Sequence, residues 1–386
     1  MTNHVTLNFW KDLSPEARLL IKSSRPCFTE DEHEEIKLLI NEVKDWQLFQ
    51  KLALQTSLGP LCYRSLVTSG KYDIPKEAAS FLKRVYTKIL AQNILILEEY
   101  DRLKDILDKA EIPYVPLKGV RLIGTYYKDA GLRNTSDVDL LFRKKDQEAI
   151  RMLMKNSGYR EFIINEYVFI SELTQNPSPY QYSKNNVSID FHILLNRVGT
   201  ISLNIADYWS SAIKKEDSFE FVLNPNLEFI HLCYHLCKHL DGNTNKLIWL
   251  TDIYLFLERE KIDWEEIKKY SEEYKCWDEL LGIVKLVEIV SEKSIVPKEY
   301  LESESKCLQG LILNYQNNFI NSGITVSNLG LYKQLFFETE HLSLLQKTIV
   351  ALGRLFPSKQ FLESRYGKVN NYFLVMIKRY LVYLKR

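Results

Sequence analysis

The feature that most constrains the fold is the stretch at residues 115–142, with the sequence VPLKGVRLIGTYYKDAGLRNTSDVDLLF. Its pattern predicts a short apolar strand, a glycine turn, a helix, a polar loop and a second strand that carries Asp137 and Asp139. Residues two apart on a strand point to the same side, so the two carboxylates share one face. Neighbouring carboxylates within a strand are costly unless water, a cation or basic groups meet them. We therefore expect chemistry at this strand.

Composition is that of an ordinary globular protein. The 386 residues are 46% hydrophobic and 26% charged, enough for two or three domains and a sizeable core. The net charge of +1 argues against broad electrostatic capture of nucleic acid. The scattered cysteines include no CxxC pair, the N-terminus lacks a signal-peptide pattern, and no apolar run approaches the ~20 residues that span a bilayer. We expect a cytoplasmic protein with reduced thiols and no membrane segment.

The pattern of apolar residues divides the chain into three regions. Residues 1–110 have helical spacing and predict an N-terminal helical region, with one helix start at Ser14-Pro15 and a capping box at Thr29–Glu32. Residues 111–225 alternate strands and helices and predict a small mixed sheet. Residues 226–386 are helical in pattern again and predict a C-terminal helical domain, with one helix starting near Asp263 and another at residues 342–355. The predicted fold class is α+β, with the sheet domain between two helical regions.

The middle region supplies the strands. The predicted strands are residues 114–117, 138–142, 159–164 and 187–194. A helix is expected at 145–156, where Gly158 follows as a stop signal. Residues 175–183, QNPSPYQYS, are expected to form a turn-rich loop.

Asp190 is a third candidate acid. Its strand, VSIDFHILL, places Asp190 and His192 on one face. If this strand lies beside that of Asp137 and Asp139, three carboxylates converge and repel one another unless a divalent cation sits among them. Hard oxygen ligands suit Mg²⁺ or Mn²⁺, and two such ions can bridge carboxylates and a triphosphate. The alternative is a D-x-D pair on an ordinary protein surface.

A glycine turn, Leu117-Lys118-Gly119, closes one strand and opens a helix about eighteen residues before the first Asp. Backbone N–H groups and a helix N-terminus at such a turn can bind phosphate. Lys118 is a candidate triphosphate contact, and Arg133 can neutralise phosphate charge. Ser136 can hydrogen-bond nearby backbone or metal-bound water. Each signal is weak alone, since a single Lys-Gly turn is more often structural.

The order of these motifs resembles the nucleotidyltransferase fold of the DNA polymerase beta superfamily: a glycine turn, a helix, R-x-x-S-D-x-D and an acid on a later strand. The sequences of the motifs themselves resemble still more closely a bacterial family of uncharacterised nucleotidyltransferases. The matching segments are LKGVRL, LRNTSDVDLLF, SIDFH, the helix pair HLCYHLCKHLDGNTNKLIWLTDIYLFL and RLFPS at 354–358. They span nearly the whole chain.

The resemblance implies a nucleotidyltransferase core that moves an NMP from an NTP, with ATP favoured, to an acceptor hydroxyl or phosphate and releases pyrophosphate. It implies Asp137 and Asp139 as ligands of Mg²⁺ or Mn²⁺ and Asp190 as the third acid and metal ligand. We expect Asp190 to take the proton from the acceptor. The glycine-serine pair of the wider superfamily is replaced by Lys118-Gly119. We therefore expect Lys118 to make the contact with phosphate that the serine makes in the superfamily.

Two other functions remain open. One is a non-catalytic module that binds a nucleotide. The other is an RNA- or tRNA-directed, toxin-like transferase, which the near-neutral charge disfavours. The identity of the acceptor and the oligomeric state are not encoded in any motif.

His231, His235 and His239 recur every fourth residue on one predicted helix, so they lie along one stripe. The stripe is either a structural polar face, with His235 and His239 bonded to Asp252, or part of the wall of a cleft. Zinc is a weaker alternative, because the sequence lacks the paired CxxC or HExxH context. His192 can orient a carboxylate, act as a base or be structural.

Overall fold

The computed structural model describes residues 9–11, 13–25, 28–163, 180–195, 203–240 and 246–301, with shorter pieces at 305, 308, 310–312, 359, 362–363 and 369–377. It confirms the α+β class, since a five-stranded mixed sheet is flanked in sequence by helices. Within these described ranges, no helix is both long enough and apolar enough to cross a membrane.

The helices and strands fall into three groups along the chain. The N-terminal helices are α1 Pro15–Ser23, α2 Glu30–Glu42, α3 Trp46–Gln55, α4 Gly59–Cys62 with a π-helical extension Tyr63–Thr68, and α5 Lys76–Lys109. The middle elements are β1 Tyr114–Leu117, α6 Lys118–Leu122 with a π-helical extension Ile123–Tyr127, β2 Asp137–Phe142, α7 Gln147–Asn156, β3 Arg160–Ile163, β4 Tyr180–Lys184, β5 Val187–His192, α8 Ile205–Ser211, β6 Ile213–Lys214 and β7 Phe221–Val222. The C-terminal helices are α9 Pro225–Leu240, α10 Ile248–Arg259, α11 Trp264–Glu273, α12 Trp277–Ser291 and α13 Lys298–Leu301.

The chain divides into two compact units, each assembled from three segments. The first comprises Met1–Ile94, Arg121–Thr135 and Pro225–Thr325, and the second comprises Leu95–Val120, Ser136–Asn224 and Val326–Arg386. Helix α5 contributes its first part to one unit and its second part to the other. The division at residues 110 and 225 expected from the sequence stays a prediction.

Helices of the first unit begin where the sequence places capping residues. Ser14 accepts a hydrogen bond at the start of α1, where Pro15 occupies the first position. Thr29 and Glu32 form the predicted capping box of α2. Asp263 caps α11 by accepting from two backbone N–H groups. These ends are fixed locally and therefore agree with the sequence-based prediction.

The second unit is built on the sheet, in the order β1-β2-β5-β4-β3. Strands β2 and β5 are parallel, and the other neighbouring pairs are antiparallel. One face of the sheet carries the alternating apolar residues of β2 and β5 into a core shared with α5 and α7. The core residues include Val138, Leu140, Phe142, Ile189, Phe191, Leu103, Leu107, Ile150 and Met154. This packing leaves the opposite face of β2 and β5 for polar side chains.

The loop predicted at residues 175–183 is partly wrong. Residues 180–184 form β4, which pairs with both β3 and β5. The physical reason is the turn after it: Asn185 and Asn186 have φ values of 52° and 64°, the left-handed conformation that a two-residue hairpin requires. Asparagine tolerates this conformation, so Asn-Asn was a usable hairpin signal. Residues 175–179, the predicted helix at 342–355 and the RLFPS segment lie outside the described residues.

Candidate active site

The acids meet because β2 lies between β1 and β5. In the parallel pair β2–β5, Asp139 is the register partner of Asp190. On the other side of β2, Asp139 is the register partner of Leu117, the residue before Lys118. The two acid-bearing strands are therefore neighbours, the condition under which the sequence brings the three acids together. Asp137, Asp139 and Asp190 lie on the face of the sheet that points away from the apolar core.

Asp139 is the centre of the cluster. Its carboxyl oxygen Oδ1 lies 2.6 Å from Nε2 of His192 and 3.0 Å from Nζ of Lys118. The side chain of Asp139 is buried, at 10% exposure, and those of Lys118 and His192 are nearly so. Two basic side chains thus contact the same oxygen of one buried carboxylate and offset the cost of burying its charge.

The three carboxyls differ in their pKa values. Burial, followed by the charges of Asp139 and Asp190, raises the pKa of Asp137 to about 7. Burial and the charge of Asp139 likewise raise the pKa of Asp190, although the amide of Gln181 donates a hydrogen bond to it. Burial also opposes ionisation of Asp139, but Lys118 and His192 outweigh it and hold its pKa well below the usual value. The centre therefore combines one carboxyl whose pKa is lowered with two whose pKa values are raised.

The turn that carries Lys118 is conformationally strained. Lys118 has a φ of 46°, in the left-handed region that costs a residue with a Cβ roughly 1–2 kcal/mol. Gly119 follows it, buried, in the short helix α6. Strain of this kind persists only where surrounding structure enforces it, and it concentrates at functional sites. Here it accompanies a lysine that points at the acids.

Arg133 is held in the first unit by a buried ion pair. Its Nε and Nη2 atoms donate to the carboxylate of Asp252 over 3.0 and 2.9 Å. The hydroxyl of Tyr127 donates to the same carboxylate over 2.7 Å. Both members of the ion pair are buried. The structure thus gives Arg133 a protein partner, and its predicted contact with phosphate stays a prediction.

The histidine stripe lies on α9. His231 is buried, and the ring of His235 packs edge-on against Trp249 with 5.2 Å between centroids. The side chain of His239 lies outside the described part. Tyr127 and Arg133 donate hydrogen bonds to Asp252, and the expected contact of His235 and His239 with this carboxylate stays a prediction.

A candidate metal centre coincides with the acids. Among the described residues, one group of three His, Cys, Asp or Glu side chains can share an ion: Asp139, Asp190 and His192, whose donor atoms lie within 4.8 Å of one another. Two carboxylate oxygens with one imidazole nitrogen fit a divalent cation. The sequence placed His192 on the acid face, and its spacing of two from Asp190 was the available signal. The ligands expected from the sequence were Asp137, Asp139 and Asp190, and the place of Asp137 among them stays a prediction.

The mixed sheet carries a carboxylate and imidazole centre that could hold a divalent cation, with a lysine beside it. The chain belongs to the family of uncharacterised nucleotidyltransferases, whose sequence pattern matches residues 42–290. That range includes the acid strands, the Lys118 turn and helices α9 and α10. No curated protein and no solved structure matches the chain. Family membership supports a transferase that acts on nucleotides.

Proposed function

We propose that the protein is a metal-dependent nucleotidyltransferase that moves an NMP from an NTP to an acceptor hydroxyl or phosphate with release of pyrophosphate. The observation that carries this proposal is the register of Asp139 with Asp190 on neighbouring parallel strands, in a chain of this family. We propose ATP as the NTP and the cytoplasm as its location. Kinship with the polymerase beta type and a bacterial origin belong to the same proposal.

The cation is Mg²⁺ or Mn²⁺ in this proposal. Asp139 and Asp190 would hold it, with Asp137 beside them on the same face of β2. When bound, such a cation neutralises charge that develops on the phosphoryl oxygens and leaving pyrophosphate. The donor chemistry fits, because two carboxylates that face each other in register need a positive partner.

The side chains of the centre have distinct roles. Asp190, whose pKa is raised by burial and by Asp139, takes the proton from the acceptor as it attacks the α-phosphate. The ammonium of Lys118 binds the triphosphate, and Gly119 gives the backbone of the turn room beside it. Ser136, next to Asp137 in the chain, hydrogen-bonds to that carboxyl and lowers its pKa against the effect of burial. Arg133 is proposed as a further contribution to charge neutralisation.

The test follows label from the α-phosphate. Pure protein is incubated with each α-labelled NTP, Mg²⁺ and a host-cell extract, and labelled acceptor and released pyrophosphate are measured. We expect Asp137→Asn or Asp139→Asn to lower transfer by at least about a hundredfold with an unchanged circular dichroism spectrum. Asp101→Asn is the matched control, because Asp101 is an exposed acid of the same unit. It should keep full activity.

Two outcomes overturn the proposal. Full activity in both Asp137→Asn and Asp139→Asn would exclude the acids from the chemistry. Metal-dependent NTP binding without release of pyrophosphate, across all four NTPs and the extract, would make the protein a nucleotide-binding module instead.

A further inference from the structure

We infer that His192 is a direct nitrogen ligand of the cation, so that the centre is a mixed oxygen and nitrogen site that prefers Mn²⁺ to Mg²⁺. This inference rests on the proposed metal-dependent function, and it adds His192 to the residues that bind the proposed cation. The sequence led to three carboxylates, whereas the geometry selects two carboxylates and one imidazole.

The first argument is distance. Nε2 of His192 lies 2.6 Å from Oδ1 of Asp139, and the three donors including Asp190 lie within 4.8 Å of one another. Donor atoms on one octahedral cation lie roughly 3 Å apart when the bonds are roughly 2.1 Å long. A single ion can therefore contact all three donors after small side-chain movements.

The second argument is the placement of the ring by the sheet. His192 follows Asp190 by two residues on β5, so both side chains leave the strand on the acid face. In the parallel register His192 is the partner of Leu141, two residues further along the strands than the pair Asp139 and Asp190. The side chain of His192 is mostly buried, at 16% exposure, and its Nε2 lies at the carboxylate of Asp139.

The third argument separates a ligand from a positioning residue. A His192 that only oriented Asp139 would donate a proton from Nε2 to Oδ1, whereas a ligand offers the lone pair of the same nitrogen to the cation. Oδ1 of Asp139 already receives a donor, Nζ of Lys118, at 3.0 Å. The contact with Lys118 would therefore remain for this carboxylate when the lone pair of Nε2 is given to a cation.

The donor set predicts metal preference. Mg²⁺ favours oxygen ligands and gives up its water reluctantly, so an imidazole ligand disfavours Mg²⁺ relative to the less strongly hydrated Mn²⁺. We expect Mn²⁺ to bind the full chain more tightly than Mg²⁺. Replacing His192 by Gln should weaken Mn²⁺ binding by about tenfold or more, as loss of a metal-site group commonly does, and change Mg²⁺ binding far less.

The decisive measurement is pulsed electron paramagnetic resonance of the Mn²⁺ complex of the full chain. We expect a ¹⁴N coupling that becomes a ¹⁵N coupling when only histidine is ¹⁵N-labelled, a test that needs no mutation. The coupling should vanish in His192→Gln. It should persist in His33→Gln, the matched control, because His33 lies in the first unit beside Tyr72.

The outcomes separate the ligand role from the proposed function. A Mn²⁺ complex without nitrogen coupling, or a coupling that survives in His192→Gln, overturns the ligand role. If label is still transferred in either case, the nucleotidyltransferase proposal stands. A histidine coupling that disappears with His192 supports the ligand even when no NTP is turned over, and then the proposed reaction fails alone. Absence of Mn²⁺ binding at millimolar concentration overturns both.

Discussion

The ammonium nitrogen of Lys118 lies 3.0 Å from Oδ1 of Asp139. The contact exists because β1 and β2 are antiparallel neighbours, with Leu117 in register with Asp139. The turn that ends β1 therefore places its lysine beside the acid strand. An ammonium on a flexible stem can exchange a carboxylate partner for a phosphate oxygen, which is the role we propose for Lys118.

Replacing Lys118 by Met should weaken NTP binding selectively. The variant keeps the length of the side chain but removes the charge, so the KM for NTP should rise by about tenfold while the KM for the acceptor stays nearly constant. Steady-state transfer of α-labelled NTP measures both constants. Lys145→Met is the control, since Lys145 is exposed in the same unit. An unchanged KM for NTP in Lys118→Met would remove the lysine from the phosphate site.

Much of the acid strand could be predicted from the sequence because its information is local. A period of two placed Asp137 and Asp139 on one face, and the adjacent apolar residues fill the core as expected. The helix starts at Ser14 and Thr29 could be predicted as well, because a capping side chain bonds a backbone N–H group within three residues of itself.

The partners of the polar groups were not predictable, because they lie far apart in the chain. His192 meets Asp139 across 53 residues, and Arg133 meets Asp252 across 119 residues. No local sequence pattern predicts which buried carboxylate a given basic side chain will contact. The sequence-based prediction therefore gave Arg133 a phosphate ligand and no protein partner. Strand β4 was not predicted for a different reason: its residues, YQYSK, are mostly polar, and only the Asn-Asn turn after them indicates a hairpin.

Asp252→Asn should destabilise the protein by about 3 kcal/mol. The amide keeps the shape of Asp252 but leaves the buried guanidinium of Arg133 without a counter-charge. Urea unfolding monitored by circular dichroism measures the free energy of unfolding. Glu34→Gln removes an exposed ion pair with Lys37 and should change stability by less than about 1 kcal/mol. Equal losses in the two variants would mean that the buried pair contributes no more than a surface one.

The contribution of Glu292 should depend on pH. Glu292 accepts from Lys22 and from Arg25, the latter over 2.8 Å. Burial opposes its ionisation, but the hydrogen bonds and charges of these two partners hold its pKa below the usual value. A lowered folded-state pKa stabilises the protein above the unfolded-state pKa of about 4.3, and this stabilisation is lost as the pH falls through the folded-state value.

Wild type should therefore exceed Glu292→Gln in free energy of unfolding by about 1 kcal/mol at neutral pH, a value discounted for partial exposure. The difference should shrink as the pH is lowered below about 4. Urea titrations of both proteins across this range provide the comparison, with Glu42→Gln as a control for an exposed pair with Arg18. A difference that stays constant or grows at low pH would contradict a lowered pKa of Glu292 in the folded protein.

Gly131 lies in the loop that runs on into β2, and a side chain there has no room. A Cβ at Gly131 would lie 2.3 Å from Cε2 of Tyr86, whose hydroxyl donates to Asp129 of the same loop. Because the ring is tied at its far end, Gly131→Ala should destabilise the protein by about 1–3 kcal/mol. Gly124→Ala is the matched control: nothing lies within 4 Å of its Cβ, so stability should hold or rise slightly.

A double-mutant cycle identifies the obstacle at Gly131. If the Tyr86 ring causes the clash, Gly131→Ala combined with Tyr86→Ala should lose clearly less stability than the sum of the two single losses. Thermal or urea unfolding of the four proteins gives the coupling free energy directly. Strictly additive losses would mean that the loop relaxes away from the ring. The close packing of Gly131 would then have no part in fixing the segment that leads to the acids.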